Sequence, residues 1–504
     1  MKLCAVITLG LFGTVLIVVG VVFPIVFPGI MAKQLDRKLS LSEDSPTIGN
    51  FISPPVPIFM QYYFFNVTNS QEILEGEKAK LDEIGPFTYE EKRLKHDLLW
   101  EEENFVTYKQ RKTFIFRPDM SNGFTEDTMI TVINPVLIGL AARLSDTSKV
   151  PDFVNGILAM LRLRLKQEPF ITQKAGDLLF HGYQEDLFLI LGQVTNDPIH
   201  KSGKFGFFYP KNNSHDGSYK VSTGIDGLEK LQLIDEWNGK PQLEFWKSDV
   251  CNMINGTEGS QFPRPISEDR KMNMYSSDLC RSLYLTFEKK VMHGNLELYR
   301  YILPYEVLAQ SPENDCFCSD NFTCKDSMVN LSPCKKGTPI VASTPHFYMG
   351  TEDVVSAVEG LNPSKEEHQT FLDIEPNTGV TFQAHKRLQV SIPLKRYPSM
   401  PDLSRVQEVV FPIVWLNESA FVPIERANAL YAKLTVPVLV VRYICWGLLA
   451  LGVVMIIVAV TFGIKNCRTP APLTEKSNGK ISSKDKKDAV NEYDRTEAYK
   501  HLFT

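Results

Sequence analysis

Strong charge of either sign is missing from this chain. Its 54 Lys and Arg nearly offset its 59 Asp and Glu, leaving a formal net charge of −5 over 504 residues. A protein that holds nucleic acid carries a basic domain or stripe, so nucleic acid is excluded as a main partner. Catalytic signatures are missing too. There is no G-x-S-x-G elbow, H-E-x-x-H, phosphate-binding G-x-x-x-x-G-K-[ST] or G-x-G-x-x-G. The nine histidines are scattered, and a group such as Glu366-Glu367-His368 reads as surface residues. The chain is expected to be no enzyme and to need no cofactor. No C-x-x-C pair stands near a histidine at zinc-finger spacing, so neither a structural zinc nor any other metal site is expected. At 43% hydrophobic and 22% charged, the composition lacks the signature of bulk disorder, and no internal repeat is visible.

Charge is also absent locally. From Leu3 to Ala32 there is no Asp, Glu, Lys or Arg. The run is longer than the apolar core of a secretory signal, about 7–15 residues, and suffices to cross about 30 Å of hydrocarbon. It reads as an uncleaved signal anchor, with a span over 3–27 and residues 1–2 before it. A second charge-free run covers 443–464, with Tyr443 and Trp446 at its start, where amphipathic rings favour the interface. Lys465, Arg468, Lys476, Lys480 and Lys484 follow and place the tail, 465–504, in the cytoplasm. At the first span the charge count is opposed, with Lys2 before it and Lys33, Arg37 and Lys38 after it. Glycosylation sequons break the tie. They occur at Asn66, Asn212, Asn255, Asn321, Asn330 and Asn417, all between the spans. The expected topology is a hairpin with both termini cytoplasmic and a large ectodomain, 28–442, outside.

Of nine cysteines, Cys4 and Cys467 lie at the cytoplasmic ends of the spans, where palmitoylation is frequent. Cys445 lies in or near the second span. Six remain outside: Cys251, Cys280, Cys316, Cys318, Cys324 and Cys334. An even number in an oxidising compartment implies disulfides, and six cysteines allow fifteen pairings. All fall within 251–334, so that region is expected to be stapled locally.

Strand signals dominate the ectodomain. In VTFQAHKRLQVSI (380–392), Val380, Phe382, Ala384, Leu388, Val390 and Ile392 share one face, and Lys386 is the only break. Shorter runs at 231–237, 283–288, 296–303 and 409–415 look similar, with Asp226-Gly227 and Asn238-Gly239 as turns. Helical signals cluster at about 126–191. Asn134-Pro135 reads as an N-cap followed by proline in the first turn. Phe153, Ile157, Leu161 and Leu165 recur at intervals of four. LRLRLK (161–166) also alternates like a strand, but the longer window favours helix.

The stretches YYFFNVTNSQEIL (62–74), GPFTYEEKR (85–93), EWNGK (236–240), CNMINGTEG (251–259), SSDLCRS (276–282), TPHFYMG (344–350) and GLNPSKEEHQTFLDIEPNTG (360–379) are specific. On them the chain resembles the class B scavenger receptor family over nearly its whole length. The family includes fatty-acid translocase, the high-density-lipoprotein receptor and lysosomal integral membrane protein type two. The resemblance implies an α+β membrane protein. Its ectodomain would be an irregular, mostly antiparallel β-barrel with an apical helical bundle and an internal lipid tunnel, anchored by two transmembrane helices. The cysteine order matches the fatty-acid-translocase pattern, which implies bridges Cys251–Cys316, Cys280–Cys334 and Cys318–Cys324.

The resemblance also places ligand capture at the apex, where Arg162, Arg164 and Lys166 are the polar candidates for anionic ligands. A solvated charged face is the plainer alternative. The expected function is a receptor that takes lipoproteins, fatty acids or other anionic lipid and passes lipid to the membrane. The alternative is a lysosomal or endosomal sorting receptor that binds a protein at the apical helices. Tyr499-Lys500-His501-Leu502 in the tail has the form of an endocytic signal, Y-x-x-bulky, fit for a clathrin adaptor. The expected location is the plasma membrane, with the endosomal or lysosomal membrane as the alternative.

Overall fold

A computed structural model of the chain describes residues 3–144, 160, 164–195, 202–318, 322, 324–397 and 400–468. These fall in two compact units, one holding 1–23 with 443–504 and the other 24–442.

In the first unit the two apolar runs are helical. They belong to continuous helices Leu3–Leu39 and Ile424–Arg468, of 37 and 45 residues. At 1.5 Å per residue each far exceeds the hydrocarbon thickness. Both are long and apolar enough to cross a membrane. Small residues let the two backbones approach, the packing mode that lipid favours. A Cβ on Gly452 would lie 2.7 Å from the Gly13 carbonyl oxygen, and one on Gly20 would lie 2.9 Å from the Cys445 carbonyl oxygen. Cys445 is buried and Cys4 is exposed.

The second unit is built on one antiparallel sheet. Its strands are β1 (Ile58–Val67), β2 (Leu81–Glu101), β3 (Phe105–Phe116), β8 (Ser218–Ser222), β9 (Ile234–Trp237), β10 (Met272–Ser276), β11 (Arg281–His293), β12 (Leu296–Ile302), β15 (Phe371–Ile374), β16 (Thr381–Leu394) and β17 (Val409–Phe421). They follow one another in the order β10-β11-β12-β15-β16-β17-β1-β2-β3-β8-β9. The strands β13 (Met328–Asn330) and β14 (Val341–Ser343) attach to β16. The ends are joined through residues 256–257. The Ile234 N–H donates to the Gly256 carbonyl, and Thr257 exchanges hydrogen bonds with Asn273 and Tyr275. Gly256 has φ +93°, and a Cβ there would fall 2.1 Å from the Asn273 carbonyl oxygen. Only glycine permits so close an approach, and with it the barrel closes.

Two insertions leave the barrel. The first, between β3 and β8, carries a small hairpin of β4 (Met129–Ile133) and β5 (Phe170–Lys174), a short pair β6 (Tyr183–Gln184) and β7 (Lys204–Phe205), and helices Pro135–Leu144 and Asp186–Thr195. Asn134 caps the first helix, its Oδ1 accepting from the Leu137 N–H at 3.0 Å. The region expected to be helical over 126–191 therefore mixes helix with strand. Ile130, Val132 and Ile133 on β4 bury in the main core, a short alternation that the helical window absorbed. Phe153, Ile157 and Leu161 lie outside the described residues. The second insertion, between β12 and β15, holds Cys316, Cys318, Cys324 and Cys334, while Cys251 lies between β9 and β10 and Cys280 in the β10–β11 turn. Cys251 joins Cys316, Cys280 joins Cys334 and Cys318 joins Cys324.

Candidate functional site

The residues expected at the apex are only partly placed. Arg162 lies outside the described residues. Arg164 and Lys166 are both exposed. Lys166 has φ +51°, so it stands past the helix and does not extend its face. The tail residues Tyr499 and Leu502 and the sequon at Asn321 also lie outside the described residues, as does the side chain of Cys467. Asn212 and Asn255 are exposed, and Asn66 is half-buried. Asn330 and Asn417 are buried, the latter donating to Gln61 Oε1 at 3.0 Å from the middle of β17.

The barrel interior holds what the strand pattern flagged only once. Register puts Ile58, Met60 and Tyr62 of β1 on the inner face with Tyr89, Glu91, Arg93 and Lys95 of β2, and these with Gln110 and Lys112 of β3. On the other side it aligns Met60 with Glu418 of β17 and Glu418 with Lys386 of β16. The result is a belt of paired charges. Arg93 bonds Glu91 at 2.8 Å and Glu418 at 3.0 Å. Lys386 reaches Glu418 at 3.3 Å, and Lys95 reaches Glu258, beside the closing segment, at 3.2 Å. Lys112 is 3.6 Å from Asp216. The break in alternation at Lys386 is this belt seen from one strand.

Its electrostatics are those of charges that hold one another. Burial pushes the Glu258 carboxyl up, but Lys95 and then Arg93, with the Ser260 hydroxyl and Lys386, bring it down to about 2. Burial likewise opposes charge on Glu418, yet Arg93 and Lys386 hold it well below the carboxylate range. Burial lowers Arg93, and Glu418 and Glu91 more than restore it. Lys95 also lies 4.6 Å from the Phe51 ring centroid and 5.0 Å from that of Tyr108, two favourable faces for a cation.

The belt lies between two apolar clusters. One gathers Tyr62, Tyr89, Phe180, Phe114, Phe116 and Phe208, packed ring against ring. The other gathers Tyr108, Tyr219, Met274, Tyr301 and Leu372 from strands around the ring, with Phe51 from the short helix Ile48–Ile52. Among the described residues of these walls, the buried hydroxyls of Tyr62, Tyr183 and Tyr275 and Nε2 of Gln110 have no hydrogen-bond partner.

A second polar cluster sits on the other face of β1. A cleft of about 420 Å³ is lined by Tyr63, Glu83, His346, His368, Arg387 and Trp415 among others. His346 Nδ1 accepts from the Asn362 N–H at 3.0 Å, so its Nε2 carries the proton to Glu83 at 2.6 Å. The His346 and His368 rings stack at 4.3 Å. His368, expected at the surface, is 2% exposed. Its Nδ1 accepts from the Ser364 N–H, which folds the short turn over it. Burial, and then His346, lower its pKa to about 4. Among the described residues, no group of His, Cys, Asp and Glu side chains is gathered to hold a metal.

Comparison with known proteins places this architecture. The CD36 family profile matches residues 11–463, most of both apolar helices and the whole barrel between them in the chain. The chain belongs to the CD36 family. Lysosome membrane protein 2 of Homo sapiens is 35% identical over 455 residues, covering 89% of this chain and 93% of that protein. Scavenger receptor class B member 1 of Cricetulus griseus is 31% identical over 465 residues, covering 91% and 89%. The same receptor of Bos taurus is 29% identical over 462 residues, covering 91% and 89%. The chain is thus a membrane protein of a receptor family, with an apolar helix near each end and a nearly closed antiparallel barrel in between.

Proposed function

We propose that this CD36-family member is a lipid receptor. It captures lipoproteins, fatty acids or other anionic lipid at the helical insertion and passes lipid through the barrel interior to the bilayer, with endocytic traffic through a tail-bound adaptor. The observation that carries this reading is the closed barrel, whose inner wall alternates aromatic clusters with a charged belt. Such a wall suits a molecule with an apolar chain and a polar head. Burial of an acyl chain supplies about 0.8 kcal/mol per CH₂. In this reading the protein performs no catalysis, both termini are cytoplasmic and the barrel is outside. Its residence is the plasma membrane, or the endosomal and lysosomal membrane.

The test is to purify the full-length protein with its glycans, identify co-purifying lipids by mass spectrometry and displace them with labelled oleate and cholesterol. Stoichiometric, displaceable lipid supports the reading, and a protein that neither carries nor exchanges lipid overturns it. A sorting receptor that binds a protein partner at the insertion is the second reading. It is favoured by the higher identity to a lysosome membrane protein, 35% against 29–31% for the scavenger receptors. Steady-state residence in lysosomes, with no lipid exchange, would shift the assignment there.

A further inference from the structure

A strap crosses the outer face of the barrel beside the two stacked imidazoles. At one end the Glu359 N–H donates to the Ala79 carbonyl, the Glu359 carbonyl accepts from the Leu81 N–H, and Gly360 turns at φ +99°. At the other end β15 begins at Phe371. Residues 361–367 between them are exposed or half-buried, and His368 is the strap's first buried side chain. The strap is pinned through ring nitrogens. The Asn362 N–H donates to His346 Nδ1 at 3.0 Å and the Ser364 N–H to His368 Nδ1 at 2.9 Å. Both bonds need neutral rings, because an imidazolium donates from both nitrogens and accepts at neither. Nε2 of each ring already carries its proton, so an incoming proton lands on Nδ1, where a backbone N–H faces it. Two charged rings 4.3 Å apart would also repel. The loop that carries His346 is held in sparsely populated backbone, with His346, Phe347 and Met349 at φ +51°, +54° and +67°. Such backbone gathers at switch regions, where the surroundings over-determine it.

We propose that His346 and His368 form an acid-operated latch: neutral rings pin the strap 361–369 to the barrel wall, and protonation in an acidic compartment frees it. Around His368, burial and then His346 oppose the charge, Glu83 of β2 favours it and Arg387 of β16 opposes it, and the balance lies at about 4. Glu366 and Glu367 stand exposed on the strap itself, and burial raises the Tyr63 phenol of β1 to about 12, so it stays neutral. Release uncovers Trp415, 5% exposed with the strap closed, and Arg387, whose Nη1 donates to the strap carbonyls of Glu366 and Gln369 at 3.1 and 2.7 Å. The outer wall then presents one surface at neutral pH and another in an acidic lumen. The inference stands whether or not the barrel carries lipid.

The experiment is amide hydrogen exchange, read by mass spectrometry, on the full-length glycosylated protein in phosphatidylcholine nanodiscs between pH 7.4 and 4.0, with rates normalised for the pH dependence of chemical exchange. A depressed folded pKa keeps the strap fully closed above pH 6.5 and loses it as the pH falls toward 4. Its opening constant should therefore be about thirtyfold higher at pH 5.0 than at pH 7.4. Peptides over 360–368 should lose protection by that factor while β1, 58–67, keeps its own. In His368→Asn the amide oxygen replaces Nδ1 as an acceptor that cannot take a proton. That variant should keep the strap protected at pH 7.4 and cut the pH effect to about threefold or less. The double variant His346→Asn with His368→Asn should show no pH effect on the strap. Exchange at the imidazole C2 position reads the His368 ring in the unmutated protein, and its midpoint should lie near 4.

Equal strap protection at pH 7.4 and 5.0 overturns the latch. Loss of protection shared by β1 overturns it in favour of general acid unfolding. A pH effect that survives in the double variant overturns the assignment to the two histidines. A His368 ring that titrates near its ordinary 6.5 shows that the closed strap tolerates the charge, and overturns the latch with no variant needed.

Discussion

Replacing Glu258 by Gln tests the belt most directly. The folded carboxyl is held down at about 2, below its ordinary 4.5, which corresponds to about 3 kcal/mol. Breaking a buried pair from one side costs a similar 3–5 kcal/mol, since the surviving charge is left uncompensated. Here that survivor is Lys95, 3% exposed, with the Phe51 and Tyr108 rings beside it. With an unfolding entropy of about 2.1 cal/mol/K per residue over roughly 400 residues, 3 kcal/mol corresponds to about 4 °C in Tm. A depressed folded pKa contributes stability that is present above the unfolded value and is lost as pH falls through the folded one. The deficit of the variant should therefore be the same at pH 7.4 and pH 5.0 and shrink to about 2 kcal/mol at pH 3.5. Differential scanning fluorimetry of the full-length protein at the three pH values reads this. Adding Lys95→Met should recover most of the loss, because the orphaned cation leaves with its partner. A single variant within 1 °C of the parent at pH 7.4, or a deficit already gone at pH 5.0, would refute the buried-pair account.

The same melting experiment should find His368 losing stability in the same direction, on acidification, but in a higher pH window. Its pKa of about 4 lies below the ordinary 6.5 of an imidazole, so stability is full above pH 6.5 and falls as the pH drops toward 4. The loss by pH 5.0 is about 2 kcal/mol, and His368→Gln should flatten the difference in Tm between pH 7.4 and 5.0. Among the cysteines, Cys280→Ser opens a bridge of sequence separation 54 and Cys318→Ser one of separation 6. Loop entropy gives about 4 and about 2 kcal/mol, so the first should cut the yield of folded, surface-delivered protein far more. In the membrane unit, Gly452→Leu drives a side chain into Gly13 and Ile17, whereas Gly447→Leu meets nothing within 4 Å. Surface expression should fall for the first and hold for the second. Charge reversal of Arg162, Arg164 and Lys166 together should weaken binding of anionic lipid particles at equal surface expression, and unchanged binding would remove the apex from ligand capture.

What the sequence made legible follows from what local pattern encodes. The charge-free runs and the strand at 380–392 could be read because span length and two-residue alternation are properties of contiguous residues. The helix after Asn134 could be read for the same reason, since a cap and a proline are neighbours. The β4–β5 hairpin was hidden inside a helical window because five-residue strands carry too few periods to outvote the longer pattern. His368 was misread as surface because its burial depends on Ser364 and on His346, which is 22 positions away in the chain. The belt is the extreme case. Lys386 stood out as one break on one strand, and its partners Glu418 and Arg93 come from β17 and β2. Only strand register assembles them.

That assembly bears on what the barrel is for. Glu91, Arg93 and Lys95 put three consecutive inward charges on β2, joined by Lys112 of β3, Lys386 of β16 and Glu418 of β17 between the apolar clusters. For stability alone this is a poor choice, because apolar residues of similar volume are commonly as stable as a buried ion network or more so. The pairing is nevertheless tight, and the carboxyl of Glu258 stays ionised down to about pH 2. The belt therefore keeps its charge in an acidic lumen as well as at the cell surface, whereas the His368 cleft loses its footing there. On the lipid-receptor reading proposed above, a wall that stays polar in acid and is flanked by aromatic clusters suits molecules that are themselves divided into head and chain.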